Sequence, residues 1–194
     1  MSDSKTRILT AASELFAENG ASGLSVRAIS GRAGLSTIGI YNHFNGKQGI
    51  LDAIYVEGFE MVMRAIDVDL NRQSPRDAVL EGLSNYITLA AQHRGHYQLI
   101  FGRGDPSYTP SSAAIAVGEE AFNRLTALVA RAIPAHVNGR EKREAALQLW
   151  ALSHGYVSLQ DHEATELIPN SAWGDLIMTA VTLHLDAIIA KHAV

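Results

Sequence analysis

Apolar residues recur at helical spacing along nearly the whole chain. Ile8, Leu9, Ala12, Leu15 and Phe16 fall at i, i+1, i+4, i+7 and i+8, which draws one stripe down a first helix that ends near Asn19-Gly20. Ser25 is placed to cap a short helix from Val26 to Ala33, Gly34 breaks it, and Ser36 is placed to cap a second short helix from Thr37 to about Phe44. "NGK" then punctuates the chain before a longer helix expected from Lys47 to about Asn71. Ser74-Pro75 reads as an N-cap with proline in the first helical position; the stripe that follows is Ala78, Val79, Gly82, Leu83, Tyr86, Ile87 and Ala90, ending near His93. A short apolar segment, Tyr97 to Phe101, leads into a glycine- and proline-rich loop to about Ser112, the best candidate for mobility. Three more helices are expected, over about 113–133, 140–161 and 171–191. No strand alternation, internal repeat or low-complexity run interrupts this. The pattern predicts an all-α chain of about nine helices. Three N-terminal helices form a helix-turn-helix domain, residues 1–46, followed by a C-terminal helical bundle, residues 47–194.

The last two expected helices are apolar over more than one face. Leu147, Trp150, Ala151, His154, Val157 and Leu159 on one, with Leu176, Ile177, Ala180, Val181, Leu183, Ala187 and Ile188 on the other, exceed what one core stripe needs. A second buried surface is expected there, most simply a homodimer interface built as a four-helix bundle from two chains, with ordinary core packing as the competing reading. A small-molecule pocket would lie between the long helices, near Met61, Tyr86, Phe101, Phe122, Trp150 and His154, with plain core packing as the competing and simpler reading of each.

Composition narrows the function. The chain has 47% hydrophobic and 19% charged residues, the mix of a globular domain. It has no run approaching eighteen apolar residues and no secretion-signal layout, so a cytoplasmic protein without a membrane span is expected. With no cysteine, thiol chemistry and disulfides are excluded. The histidine pairs His93/His96 and His154/His162 lack a convincing third ligand, so neither metal nor cofactor is expected. No nucleotide loop, nucleophile motif or paired-carboxylate arrangement points to an enzyme. The formal net charge is −4, yet Asn19 to Leu51 holds Arg27, Arg32 and Lys47 and no acid. A locally basic patch of this kind suits a polyanion, because charges beyond about 10 Å are screened at moderate salt.

Helical phase sharpens that reading. On the third helix Ile40 and Phe44 point inward, Thr37 and His43 lie at the margins, and Ile38, Gly39, Tyr41 and Asn42 are left outward. An exposed branched apolar residue, a bare glycine, a phenol and an amide replace the usual Lys and Glu.

The stretch "TRILTAASELFAENGASGLSVRAISGRAGLSTIGIYNHFNGKQGILDAIYVEGF" resembles the DNA-binding domain of TetR/AcrR-family transcriptional regulators, in unbroken register through "LFAENG", "LSVRAIS", "AGLS", "IYNHF" and "GK". The resemblance implies a third helix that enters the major groove and a two-fold dimer on a near-palindromic operator of double-stranded DNA. On that footing the interface comprises Ser25, Arg27, Ser36, Thr37, Ile38, Gly39, Tyr41, Asn42, His43 and Lys47. The helix start at Ser36-Thr37 offers amides to a phosphate or base edge, Ile38 suits a thymine methyl, Asn42 an adenine edge or a phosphate, and Gly39 admits a close backbone approach. Tyr41 is similar to the family's phosphate-contacting tyrosine. His43 is similar to its phosphate-contacting histidine and reads equally as a half-buried closure of the small core. Arg27 and Lys47 serve as backbone anchors, whereas Arg32 need only solvate its face. The chain departs from the family's habits at Ile38-Gly39, where a small or polar pair is usual, and at Gln48-Gly49, where two acids are frequent. "LWALSHGYVSL", with Trp150, His154 and Gly155, resembles a C-terminal domain named for its Trp-His-Gly signature, which implies dimerisation and sensing of an unknown small-molecule effector. The function expected is a ligand-responsive regulator, a repressor; a helical small-molecule carrier or scaffold without DNA binding is the alternative.

Overall fold

A computed structural model describes residues 3–101, 108–160, 162, 168–169 and 172–193. Among them the chain forms nine α-helices: α1 (Asp3–Asn19), α2 (Val26–Ala33), α3 (Thr37–Phe44), α4 (Lys47–Ala65), α5 (Pro75–Gln92), α6 (Arg94–Ile100), α7 (Ser112–Ala130), α8 (Gly139–Leu159) and α9 (Trp173–Lys191). No strand occurs among the described residues. The all-α expectation is met. The loop expected to be mobile lies largely outside the described residues, as does most of the α8–α9 connection.

Two compact units divide the chain: residues 1–61 with 93–120, and residues 62–92 with 121–194. The first is built on Ile8, Ala12, Phe16, Ile29, Ile40, Ile50, Ile54 and Leu99, drawn from α1 to α4 and α6. Each of the isoleucine, leucine and phenylalanine side chains among them stabilises the unit by about 1.5–3 kcal/mol when removed from water. The expected handover at residue 47 therefore separates short helices from long ones but does not separate cores, since α4 and α6 supply part of the N-terminal core. Gly95 explains how α6 joins it: a β-carbon there would come within 2.8 Å of the Ser13 carbonyl on α1.

Helix α4 ends at Ala65, short of the Asn71 expected. In "IDVDL", Ile66, Val68 and Leu70 turn inward while Asp67 and Asp69 face solvent, a two-residue alternation that a helix cannot present to one side. Aspartates are also unfavourable at a helix C-terminus. The Asn85 side chain instead donates to the Ala65 carbonyl at 3.0 Å, and the Asp69 carboxylate accepts from the Asn71 amide at 3.0 Å.

In the second unit Val79, Leu83, Val129, Leu149, Ile177, Val181 and Leu185 form the core of α5, α7, α8 and α9. Arg76 on α5 grips Asp186 on α9 through two hydrogen bonds of 2.6 and 2.8 Å. By length and composition α9 could cross a membrane, at a mean hydropathy of 1.3. Its apolar residues divide instead between a core stripe, Ile177, Val181, Leu185 and Ile188, and exposed leucines at 176 and 183.

Candidate nucleic-acid interface

The turn between α2 and α3 is fixed from both sides. The Ser25 hydroxyl caps α2 by accepting from the Ala28 amide at 3.1 Å. At the other end Gly34 takes φ 63, a left-handed conformation costly for any residue with a β-carbon, and the Gly34 and Leu35 amides donate to the Gly31 and Ser30 carbonyls at 3.2 and 2.9 Å. Arg7 on α1 donates to the Ala33 carbonyl at 2.6 Å and to that of Gly34 at 3.3 Å. It thus holds the α2 C-terminus where α3 begins. Sequence reasoning passed over Arg7, because its partners are backbone oxygens 26 and 27 residues away.

Ser36 caps α3 by accepting from the Gly39 amide at 3.1 Å, and the Ser36 carbonyl accepts from the Ile40 amide at 3.3 Å. The first two amides, of Thr37 and Ile38, are the ones a phosphate would find. Ile40 is fully buried and seats the helix, with half-buried Phe44 one turn on. The opposite face stands open: Ile38 is 70% exposed and Tyr41 57% exposed, with Thr37 and Asn42 exposed beside them. The outward placement expected from helical phase is thus observed. Gly39 has open space where a side chain would stand, the nearest atom to a β-carbon being the Ser36 hydroxyl at 3.6 Å.

After α3 the chain reverses through Asn45 and Gly46, both at positive φ. The Tyr41 ring lies against Gly46, whose absent β-carbon would come within 3.1 Å of it. That contact steers the phenol. His43 is half-buried, edge-on to Phe44 at 6.5 Å between ring centres. Ser25 and Arg27 are exposed on α2, and Lys47 is half-buried at the start of α4. Arg32 is bound within the fold: its guanidinium donates to Glu18 at 2.8 and 2.9 Å and to Glu14 at 3.3 Å, and this hydrogen bonding holds the Glu18 carboxyl below its usual range. Arg32 is accordingly committed to the two glutamates of α1.

The six candidate pocket residues fall in different units. Met61 and Phe101 belong to the first, where the Phe101 ring lies 4.7 Å from Tyr97 and 5.9 Å from Phe59. Tyr86, Phe122, Trp150 and His154 belong to the second. There the Trp150 indole donates to the Tyr86 hydroxyl at 3.2 Å, the Phe122 ring lies 5.5 Å from Trp150, and the Arg143 guanidinium sits 4.6 Å from the centre of Phe122. The His154 ring pairs with Ser158 at 3.3 Å. The Trp150 N–H thus has the Tyr86 oxygen as its acceptor, as a core indole needs. An open hollow of about 380 Å³ in the same unit is lined by Met63, Ile66, Val68, Leu70, Arg124 and Arg131 among others, and by none of the six. Among the described residues no cluster of His and carboxylates has metal-binding geometry.

Comparison with known proteins gives this geometry a context. The profile of bacterial regulatory proteins of the tetR family matches residues 8–54, and that of a tetracyclin repressor-like C-terminal domain matches residues 79–180. The latter description, and not one named for a Trp-His-Gly signature, covers the C-terminal half. The uncharacterised HTH-type transcriptional regulator YobS of Bacillus subtilis is 24% identical over 161 residues, covering 82% of this chain and 80% of that one. The HTH-type transcriptional repressor KstR2 of Rhodococcus jostii is 29% identical over 123 residues, 63% of this chain and 52% of the relative. A solved bacterial regulatory protein in the tetR family from Rhodococcus RHA1 superposes with a TM-score of 0.73 at 20% identity, covering 97% of this chain and 98% of that one.

Proposed function

The chain belongs to the TetR family of bacterial regulatory proteins, and on that premise we propose that it is a ligand-responsive transcriptional repressor that binds a near-palindromic operator as a homodimer. Proteins of this family are DNA-binding transcriptional regulators and not enzymes. The observation that carries the reading is α3 itself: its inner side is seated by buried Ile40, while Ile38, Tyr41, Asn42 and Thr37 project from a face without a single acid. In the proposed complex Ile38 meets a thymine methyl, Asn42 an adenine edge or a phosphate, and Tyr41, Arg27, Lys47, Ser25, His43 and the amides at Ser36-Thr37 hold the backbone. Gly39 lets the helix come close. This is work for the cytoplasm, where the DNA is.

Two-fold binding is supported by α8 and α9, where Leu147, Leu159, Leu176 and Leu183 remain exposed beside a complete core. A second copy covering them gives the two-fold dimer that half-sites about 34 Å apart, one helical turn of DNA, call for. An effector that prefers a different spacing lowers DNA affinity by its differential affinity for the two arrangements. The aromatic cluster of Tyr86, Phe122 and Trp150 is the proposed sensing region.

Selection of bound fragments from random duplex DNA tests the proposal. It should return a two-fold-symmetric sequence whose binding falls steeply as salt rises. Recovery of no sequence, together with random-duplex binding that is absent even at low salt, would instead identify a helical carrier.

A further inference from the structure

The departure at Gln48-Gly49 has a structural use. Gly49 lies in the first turn of α4, and a β-carbon at that position would fall on the backbone carbonyl of Phe44, the last residue of α3. The start of α4 is therefore pressed against the end of α3 across the Asn45-Gly46 reversal. No residue larger than glycine fits there without opening that junction.

On the face that Gln48 and Asp52 share, four residues apart, α4 is tied to a remote segment. The Gln48 side chain donates to the Thr109 carbonyl at 2.8 Å. The Asp52 carboxylate accepts from the Tyr108 hydroxyl at 2.9 Å and from the Ser111 amide at 3.1 Å. Ser111 is in turn the cap of α7, accepting from the Ala114 amide at 3.2 Å, so Asp52 places a negative charge at the N-terminus of that helix, where it is favoured. Tyr108 packs on the N-terminal core, and burial, with the hydrogen bond to Asp52 next, pushes its phenol well above the ordinary tyrosine range. It stays a donor at any physiological pH. A glutamate at 48 could not donate to the Thr109 carbonyl.

We propose that residues 108–111 act as a clamp that positions the recognition helix: through Gln48 and Asp52 they fix the first turns of α4, and through Gly49 those turns fix α3. The proposal rests on the DNA-binding reading above. Gln48, Asp52 and Tyr108 are positioning residues that act through α4. Because the clamp sets the attitude of α3, it governs fit to base edges more than attraction to phosphates.

The test uses the full chain, the duplex selected with the wild type and a random duplex. Gln48→Met removes the donor without adding charge near DNA, and Tyr108→Phe removes the hydroxyl. Each should weaken binding to the selected duplex about tenfold while leaving random-duplex binding within about twofold. The double variant should fall little further than the worse single one, because both bonds serve one clamp. A purely structural role would reduce both duplexes in proportion, and that result, or unchanged binding, overturns the proposal. Gln48 is exposed, so Gln48→Met decides the matter even if Tyr108→Phe does not fold. A wild type that binds neither duplex overturns the regulator reading and the clamp together, whereas a wild type that discriminates while its variants are unchanged overturns the clamp alone.

Discussion

A β-carbon added at Gly39 would have the Ser36 hydroxyl, 3.6 Å away, as its nearest neighbour, an ordinary contact. The fold therefore does not require glycine at this position, and glycine costs helix stability of about 0.5–1 kcal/mol relative to alanine. Gly39→Ala is expected to raise the melting temperature slightly and to weaken binding to the selected duplex, since the added methyl stands on the face offered to the groove. A variant that is stabilised and still binds as tightly as the wild type would show that DNA does not come close to this residue. The outward set of Ile38, Gly39, Tyr41 and Asn42 was legible in the sequence because helical phase is a local property, fixed by 100° per residue and by one buried anchor, Ile40. Arg32 was not legible in this way. Its engagement by Glu14 and Glu18 depends on how α1 crosses α2, and a local charge tally over residues 19–51 leaves both acids out.

At the scale of elements, the same substitution at the α2–α3 turn should act with the opposite sign. Gly34 holds φ 63, and a β-carbon there would come within 3.0 Å of the Arg7 guanidinium that grips the turn. Gly34→Ala is expected to destabilise the protein by about 1–2 kcal/mol, measured by urea denaturation followed by circular dichroism. No loss of stability would mean that the turn has another conformation available. Helix starts were readable because Ser25, Ser36 and Pro75 act on their own first turns. The end of α4 was less so: no glycine or proline marks it, and the alternation in "IDVDL" is recognisable as a break only once its apolar side is seen to face a core. For the same reason the boundary drawn at residue 47 followed helix length, while the cores follow contacts made by α6 from far along the chain.

For the whole molecule, the question is what covers α8 and α9. Their buried positions already complete the second unit's core, with Leu149, Ile177, Val181 and Leu185 fully buried, yet Leu183 remains 67% exposed and Leu147 50% exposed. A membrane is a poor occupant, because α9 carries Asp175, His184 and Asp186, and Asp186 is committed to Arg76. The homodimer proposed above answers better, since the surplus of apolar residues lies on the last two helices together and a two-fold axis would let the same leucines meet themselves. Leu183→Glu places two like charges in that contact. It should shift sedimentation from dimer toward monomer by at least about tenfold in dissociation constant, a cost of the size expected for an unpaired charge at a desolvated interface. Binding to a two-fold operator should fall with it, because each protomer then has to find its half-site without the other, while binding to a single half-site should change little. A Leu183→Glu protein that sediments as the wild-type dimer would remove α9 from the interface, and the apolar surplus on these helices would need a different partner.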